Sequence, residues 1–320
     1  MMRDIRIGAA QFENHNGDKA YNLAVMKRLV SKAVDQGAEV VSFHEGCISA
    51  YTFIRNLSKP QLLELAEYVP NSASIRELIH MAKEFNVFIL AGLVEKDEKD
   101  NIYNTYVCVN NDGLVAKHRK LHAFINKHFT NGNEYSVFDM DGVKCGILTC
   151  YDNNLVENVR ITTLMGAEVI FMPHVTCCLP SSMPGRGWVD KTLWDNRYRD
   201  PVRLRQEFMG PKGRGWLMKW LPARAYENGI YAVFTNPIGV DDDQIRNGNA
   251  MIIDPYGEII AECNTLGDDV VVGLCTPEKI ADSSGKRFLR ARRPDLYGKL
   301  TERGVEEPVI ETGWGIVKKG

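Results

Sequence analysis

The apolar positions of the chain form strand-length runs, which alternate near the start with segments of helical spacing. After Asp18, a capping residue type, apolar residues recur three and four apart as far as Gln36, which predicts a helix that Gly37 ends. Further helices are predicted at residues 61–68, 72–85 and 155–165. The predicted strands are Ile5–Phe12, Glu39–His44, Val87–Val94, Tyr103–Val109, Leu114–Arg119, Ser136–Met140, Val143–Thr149, Val169–Met172, Tyr231–Thr235, Ala250–Ile253, Glu258–Glu262 and Asp269–Cys275.

The order of these elements favours an α/β fold. The helices lie between the first strands, whereas later strands are joined mainly by hairpins, such as the one at Asp141-Gly142. A purely parallel, doubly wound sheet is therefore not expected. Two mixed sheets packed face to face, with helices outside, would bury this many apolar strands.

One stretch, from Val143 to Glu157, places a cysteine between a predicted strand and a predicted helix. The strand is apolar enough to be buried on both faces, and Tyr151 to Asn154 are turn and helix-capping residue types. Cys150 therefore lies at a bend that would lift its side chain off the sheet, as in a nucleophile elbow. A buried, inert cysteine would fit the same position, so its partners must decide between the two roles.

Composition and charge exclude several other classes of protein. The chain has 320 residues, 44% of them hydrophobic and 25% charged, and a net charge of −2 argues against a nucleic-acid-binding surface. The apolar runs are too short to span a membrane, and the start, MMRDIRIGAAQF, lacks the apolar core of a signal peptide, so we expect a cytoplasmic protein. The eight cysteines indicate reduced thiols. No nucleotide-binding motif is present, and we expect no cofactor.

Three ionisable residues share one position relative to the predicted strands. Glu45, Lys120 and Cys150 each follow the carboxyl end of a strand, and in α/β sheets such ends line one crevice. A carboxylate can take the thiol proton and later activate water, which predicts Glu45 as general base and Cys150 as nucleophile. Lys120 and the backbone N–H of Tyr151 are suited to stabilise an oxyanion. Together these residues predict acyl transfer from a carbon–nitrogen bond to sulfur, followed by hydrolysis.

Residues 174–215 form the least regular part of the chain. We expect an insertion with short helices at the mouth of a site, or equally a solvated or subunit-contacting surface. Its arginines could bind a substrate carboxylate. The charged run from Glu95 to Asn101 is typical of a solvated turn. The insertion arginines are Arg186, Arg197, Arg199, Arg203, Arg205 and Arg214.

Several segments resemble the nitrilase, or carbon–nitrogen hydrolase, superfamily. The segments are GAAQF near the start, GAEVVSFHEG (37–46), AKHRKLH (116–122), GILTCYDNNLVEN (146–158), GAEVIFMPH (166–174), ARAYENGIYAVFTNP (223–237) and IIDPYGEII (252–260). The similar segments occur in the same order as in the family and span residues 4–275. The family's glutamate, lysine and cysteine match Glu45, Lys120 and Cys150. It implies a four-layer αββα sandwich of two mixed sheets and hydrolysis without a cofactor.

The resemblance also implies a domain organisation, a pocket and an assembly. Residues 1–282 would form the hydrolase domain, and residues 283–320 a tail at a subunit interface in a homodimer or larger homo-oligomer. Apart from other copies of the chain, the expected partner is a small-molecule substrate. We expect no binding to nucleic acid or to a membrane. The residues assigned to substrate binding are Tyr51, Tyr151, His128, Asn153 and His174.

The residues around the cysteine narrow the expected chemistry. Cys150-Tyr151-Asp152 is similar to the carbamoylase and amidase branches, whereas nitrilases tend to have Trp-Glu after the cysteine. The chain departs from the family's pattern at His44, where many members have proline. It also has no acidic residue between Leu121 and Gly132, where many members have a second carboxylate. His122, Asn126 or His128 could take the place of that carboxylate.

Four alternatives remain at this stage. A nitrilase would use the same nucleophile. A non-catalytic binding protein could retain the fold. An acyltransferase would pass the acyl group to an amine instead of water. A metal hydrolase could use His118 with His122, or His174 with Cys177 and Cys178, but neither set is a full set of ligands.

Overall fold

Two six-stranded mixed sheets form the centre of the protein. The computed structural model describes residues 2–181, 183–302, 310–312 and 315–317. The strands are β1 Ile5–Gln11, β2 Val40–Ser42, β3 Phe88–Lys96, β4 Ile102–Asn110, β5 Gly113–Arg119, β6 Ser136–Met140, β7 Val143–Ile147, β8 Val169–Pro173, β9 Tyr231–Thr235, β10 Ile238–Asp241, β11 Gln244–Asn247, β12 Met251–Ile253, β13 Ile259–Glu262, β14 Asp269–Cys275, β15 Ile310–Thr312 and β16 Gly315–Val317.

Helices cover the outer faces of the two sheets. The helices are α1 Lys19–Val34, α2 Lys59–Leu65, α3 Ala73–Phe85, α4 Val156–Leu164, α5 Lys191–Asp195, α6 Pro201–Met209, α7 Arg214–Leu217, α8 Leu221–Asn228, α9 Pro277–Ala281 and α10 Ser284–Arg290. The 3-10 helices span Thr52–Asn56, Cys150–Asn153, Pro294–Leu296 and Gly298–Thr301. Asp18 caps α1 as predicted, since its carboxylate accepts a hydrogen bond from the Tyr21 N–H at 2.9 Å.

Each sheet has a parallel centre and antiparallel edges. The first has the order β14-β1-β2-β3-β4-β5, with parallel pairing only within β1-β2-β3. The second has the order β13-β12-β9-β8-β7-β6, with parallel pairing within β7-β8-β9. Because β4 is antiparallel to both β3 and β5, β5 runs in the same direction as β2. The carboxyl ends of β2 and β5 therefore face the same edge of the first sheet.

Three apolar layers hold the sandwich together. Side chains from the inner faces of both sheets, such as Ile7 and Phe171, pack against one another at the centre. A second layer, which includes Leu29 and Leu78, joins α1 and α3 to the first sheet. A third joins α4, α8 and the insertion to the second sheet. The expectation of an α/β sandwich of two mixed sheets with helices outside is confirmed.

The structure differs from the sequence-based expectation at two segments. Glu95 and Lys96 complete β3 rather than forming a solvated turn, and Glu95 is buried because it pairs with Lys117 and Arg119, each at 2.7 Å. The hairpin of β10 and β11 was not predicted, because its strands are short and carry buried polar residues such as Arg246.

The insertion and the tail carry short elements. Helices α5, α6 and α7 lie within residues 174–217, and α10 contacts α8. Much of the remaining tail, including residues 303–309 and 318–320, lies outside the described residues. In the part of the chain that the structure describes, no helix combines the length and hydropathy needed to cross a membrane.

Candidate active site

Three loops bring Glu45, Lys120 and Cys150 to one place. Glu45 lies in the turn after β2, Lys120 follows β5 directly, and Cys150 begins the 3-10 helix after β7. The Lys120 Nζ donates a hydrogen bond to the Glu45 Oε1 at 2.7 Å, and neither side chain is exposed to solvent. The Cys150 thiol interacts electrostatically with both groups. A carboxylate, an ammonium and a thiol therefore share one buried site.

The Glu45 carboxylate is held by two further donors. The Asn104 Nδ2 donates to the Glu45 Oε1 at 2.6 Å, and the Val175 N–H donates to the Glu45 Oε2 at 3.1 Å. Asn104 comes from β4, and Val175 follows β8 of the second sheet. Because donors from both sheets fix the carboxylate, its orientation is set before any substrate binds.

The backbone bends sharply at the cysteine. Cys150 has a φ of +54°, in the left-handed region that non-glycine residues seldom adopt. Burial and, after it, the Glu45 charge raise the pKa of the Cys150 thiol to about 12, although Lys120 and the Val175 amide act in the opposite direction. The thiol is therefore protonated near neutral pH, and it needs a base within reach when it attacks.

Lys120 remains charged despite its burial. Burial lowers the pKa of Lys120, but its electrostatic interactions with Cys150, Glu45 and Tyr51 raise it well above the ordinary value. Near neutral pH the thiol and the phenol are protonated, so the Glu45 carboxylate is the charged partner among the three. Its Nζ also donates a hydrogen bond to the Tyr51 hydroxyl at 3.5 Å and lies 5.0 Å from the centre of the Phe124 ring. The site thus holds a fixed ammonium that can stabilise developing negative charge.

Asp152 connects the cysteine turn to the backbone after Lys120. Its carboxylate accepts hydrogen bonds from the N–H groups of Leu121 at 2.9 Å and His122 at 3.0 Å, and from the His122 Nδ1 at 2.8 Å. Burial raises the pKa of the Asp152 carboxyl, but the contacts with His118, His122 and Lys120 outweigh burial and lower it. An ionised Asp152 therefore holds together two of the three loops that form the site.

A cavity of about 250 Å³ opens onto the thiol. Two of the residues assigned to substrate binding, Tyr51 and Tyr151, line it. The insertion supplies a large part of the wall, so it lies at the mouth of the site. The other lining residues are Phe124, Ile125, Cys150, Asn154, Val175, Thr176, Leu179, Pro180, Ser181, Arg186 and Trp216.

Asn153 and His174 support the cysteine turn instead of lining the cavity. The Asn153 Nδ2 donates to the Leu148 carbonyl at 3.0 Å, and the Asn153 Oδ1 lies 2.8 Å from the His174 Nε2. Both side chains are fully buried, and burial lowers the pKa of His174 well below its ordinary value, so the ring is neutral. The Arg224 Nε donates to the Asn153 carbonyl at 3.2 Å on the same turn.

The loop after Lys120 places its polar residues away from the cavity. The Asn126 Nδ2 donates to the carbonyls of Ile54 at 3.0 Å and Leu57 at 2.8 Å, and the Asn126 Oδ1 accepts from the His128 N–H at 3.1 Å. His128 is absent from the cavity lining. Asn126 and His128 therefore shape the loop and do not line the cavity. The carboxylate that contacts this loop is that of Asp152, which accepts from the N–H groups of Leu121 and His122.

His44 and the two histidines of HRKLH also have structural partners. The His44 Nε2 lies 3.0 Å from the Asn14 Oδ1, and burial lowers the pKa of His44 to about 3. His118 and His122 both approach Asp152. Among the residues that the structure describes, no group of three or more histidine, cysteine or acidic side chains is placed to hold a metal ion.

Sequence reasoning missed the residues that hold Glu45 in place. Asn104 is a buried polar residue in a largely apolar strand, and that is the signal that could have identified it. Val175 acts through its backbone N–H, so its side chain gives no signal.

Comparison with known proteins identifies the family of the chain. The model of the carbon–nitrogen hydrolase family matches residues 6–283. The chain is 26% identical over 301 residues to an (R)-stereoselective amidase of Pseudomonas sp., and the aligned region covers 93% of this chain and 95% of that relative. It is also 26% identical over 324 residues to the N-carbamoylputrescine amidase of Solanum lycopersicum, covering 96% of this chain and 98% of the relative.

A solved structure has the same fold. It is a mutant of the amidase from Nesterenkonia sp. AN1 that shows the Michael addition of acrylamide at its active-site cysteine. The superposition has a TM-score of 0.69 at 20% sequence identity, and it covers 92% of this chain and 99% of that chain. The family match spans most of the sequence and includes the glutamate, lysine and cysteine segments that suggested the resemblance. The chain therefore belongs to the carbon–nitrogen hydrolase family.

Proposed function

We propose that the protein hydrolyses a small amide or N-carbamoyl compound through a thioester on Cys150, with release of ammonia. The observation that carries the proposal is the convergence of Glu45, Lys120 and Cys150, with Cys150 in the wall of a small cavity and the other two side chains buried beside it. The thiol is a nucleophile, the carboxylate is a base within its reach, and the ammonium compensates negative charge.

The first half of the reaction forms the thioester. The Cys150 sulfur attacks the carbonyl carbon, and the thiol proton passes to the Glu45 carboxylate. The negative charge that develops on the carbonyl oxygen is stabilised by the Lys120 ammonium and the backbone N–H of Tyr151. When the intermediate collapses, the carbon–nitrogen bond breaks, the nitrogen takes the proton from Glu45, and ammonia leaves.

The second half restores the enzyme. Glu45 takes a proton from a water molecule whose oxygen attacks the thioester carbonyl, and a second tetrahedral intermediate forms. Its collapse breaks the carbon–sulfur bond, and the sulfur recovers the proton from Glu45. The product is a carboxylic acid, or for an N-carbamoyl substrate a carbamic acid, which then loses carbon dioxide.

The sequence around the nucleophile and the relatives support amides and N-carbamoyl compounds as substrates. Cys150-Tyr151-Asp152 resembles the amidase and carbamoylase branches, and two of the relatives are an (R)-stereoselective amidase and an N-carbamoylputrescine amidase. A cavity of about 250 Å³ is smaller than most ligand pockets, which span roughly 300–1,000 Å³, and this favours a small substrate.

Ammonia release tests the proposal. Purified protein would be screened with propionamide, N-carbamoyl amino acids, N-carbamoyl amines and aliphatic nitriles, beside the Cys150→Ala and Cys150→Ser variants. We expect release from an amide or an N-carbamoyl compound, and no turnover in either variant despite an unchanged circular dichroism spectrum, because the nucleophile is missing. Turnover of nitriles alone would identify a nitrilase. Turnover retained in Cys150→Ala would exclude the thioester mechanism.

A further inference from the structure

The wall of the cavity that the insertion supplies carries a positive charge. Arg186 lines the same cavity as Cys150, and it is half-buried there. Lys120, the other nearby cation, is fully buried and paired with Glu45. Among the lining residues no carboxylate occurs, and the polar ones other than Arg186, such as Asn154, Thr176 and Ser181, are neutral.

The Arg186 guanidinium is held in place without a carboxylate partner. It stacks on the Trp216 ring, 4.1 Å from the ring centre, and Trp216 lines the cavity as well. The Arg186 Nε and Nη1 are shielded from solvent and have no oxygen or nitrogen acceptor among the residues that the structure describes. The guanidinium also contacts the Cys177 thiol, which burial keeps uncharged and which therefore does not neutralise it. Stacking fixes the plane of a guanidinium while leaving the N–H groups at its edge free to bind a planar anion. A buried donor without an acceptor is unfavourable, and a ligand oxygen would remove that cost.

Other arginines of the insertion are bound differently. Arg214 forms an ion pair with Glu262 at 2.7 Å, and the Arg205 Nη1 donates to the Asn264 carbonyl at 3.0 Å. Neither residue lines the cavity. Arg197 is stacked as well, 3.9 Å from the centre of the Trp194 ring, but it lines a different cavity. Of the six insertion arginines, Arg186 alone lines the cavity that holds the Cys150 thiol.

We propose that Arg186 binds a carboxylate at the far end of the substrate, so that the enzyme prefers half-amides of small dicarboxylic acids or N-carbamoyl amino acids. This inference rests on the proposed function. Arginine and carboxylate form charge-assisted, often bidentate hydrogen bonds, which suit a site with one free guanidinium. Succinamate and N-carbamoylglycine are both small molecules, in keeping with a cavity of about 250 Å³. A cationic substrate end would be repelled by Arg186.

Three amides of similar size test the charge preference by ammonia release. They are succinamate, which is anionic, 4-oxopentanamide, its neutral counterpart, and 4-aminobutanamide, which is cationic. We expect kcat/KM for succinamate to exceed that for 4-oxopentanamide roughly 10-fold to 100-fold, as a charge-assisted hydrogen bond would produce, with 4-aminobutanamide the poorest. In Arg186→Gln the ratio of succinamate to 4-oxopentanamide should fall towards one, mainly through KM. Arg186→Lys, which keeps the charge but not the planar group, should give an intermediate ratio.

A matched control separates this site from general charge effects. Arg199 is an exposed arginine of the same insertion that does not line the cavity, so Arg199→Gln should keep the wild-type ratio. An Arg186→Gln ratio equal to the wild-type ratio would overturn the proposal. So would a wild-type preference for 4-oxopentanamide or 4-aminobutanamide.

Binding measurements distinguish failure of this inference from failure of the proposed function. If no probe releases ammonia, the proposed function fails for these amides, and calorimetry on Cys150→Ala still measures the anion site. We expect succinamate to bind Cys150→Ala more tightly than 4-oxopentanamide, and we expect the difference to vanish when Arg186→Gln is added. Equal binding of both probes to Cys150→Ala would overturn the assignment of Arg186 independently of turnover.

Discussion

Asp152 supports the candidate site although it does not line the cavity. It lies two positions after Cys150, and it accepts hydrogen bonds from the backbone directly after Lys120. Two backbone N–H groups and the His122 ring depend on this one carboxylate. Its loss would leave those donors unpaired and would free the lysine loop from the cysteine turn.

We predict that Asp152→Asn destabilises the protein in a pH-dependent way. The free energy of unfolding at pH 7 should fall by about 2–5 kcal/mol, because buried donors lose a charged acceptor. The pKa of Asp152 is lowered in the folded state, so its stabilisation is present above the unfolded value of about 3.9 and is lost as the pH falls towards the folded value. The difference between wild type and variant should therefore shrink below about pH 4.

Urea unfolding at pH 7 and at pH 3 to 4 measures this difference. The control is Asp282→Asn, which changes an exposed aspartate that ends α9. A difference between wild type and Asp152→Asn that stays constant across this range would show that Asp152 is not stabilised in its ionised form.

The sequence indicated the residues that we propose to react better than the residues that support them. Glu45, Lys120 and Cys150 follow strand ends, so their position could be inferred from the pattern of apolar runs. Asn153 and His174 also lie in such positions, but local geometry turns their side chains towards each other rather than into the cavity. Their direction depends on one or two backbone torsions in a tight turn, which a sequence pattern does not specify.

Among the elements, β3 has to pass very close to the turn that carries Glu45. A Cβ atom at Gly92 would lie 2.3 Å from the Gly46 nitrogen and 3.2 Å from the Glu45 Cα. Only glycine lets the strand and the turn approach in this way. The position of the carboxylate thus depends on a residue that has no side chain.

We predict that Gly92→Ala lowers kcat roughly 10-fold to 100-fold, because a shift of the turn by a fraction of an ångström to an ångström moves the base. The control is Gly267→Ala, since a Cβ atom there would meet nothing within 4 Å. Steady-state kinetics and thermal unfolding of both variants would be compared. Wild-type kcat in Gly92→Ala would show that the turn can move without displacing Glu45.

The presence of the helices and strands was easier to predict than the residues at which they begin and end. The long apolar runs gave the strands of both sheets, because burial on two faces leaves a strong signal. Glu95 was misjudged, because its charge is neutralised by Lys117 and Arg119 of β5, which lies two strands away from β3 in the sheet, and such pairing is not visible in a local pattern.

At the scale of the whole molecule, the site exists only because two sheets pack face to face. The first sheet supplies Glu45, Asn104 and Lys120, and the second supplies Cys150 and the Val175 N–H. Sequence spacing could not show that these groups meet, and the family resemblance supplied what spacing lacked. Assembly into homodimers and a role for the tail at a subunit interface stay predictions, which sedimentation of the full chain would test.

The central claim is that Glu45 serves as the base for a thiol that is protonated at rest. Because the Glu45 charge raises the pKa of Cys150 while Lys120 lowers it, Glu45→Gln should have opposite effects on two reactions of the same sulfur. Alkylation of Cys150 by iodoacetamide at pH 8 should become about tenfold faster or more, because more thiolate is present. Ammonia release should fall by about 10²–10⁴-fold, because the base is missing.

The most direct measurement is therefore the pair of rates, alkylation followed by mass spectrometry and ammonia release, in wild type, Glu45→Gln and the exposed-site control Glu84→Gln. The account predicts faster alkylation with lost turnover in Glu45→Gln and wild-type rates in the control. Slower alkylation in Glu45→Gln, or turnover at the wild-type rate, would contradict it.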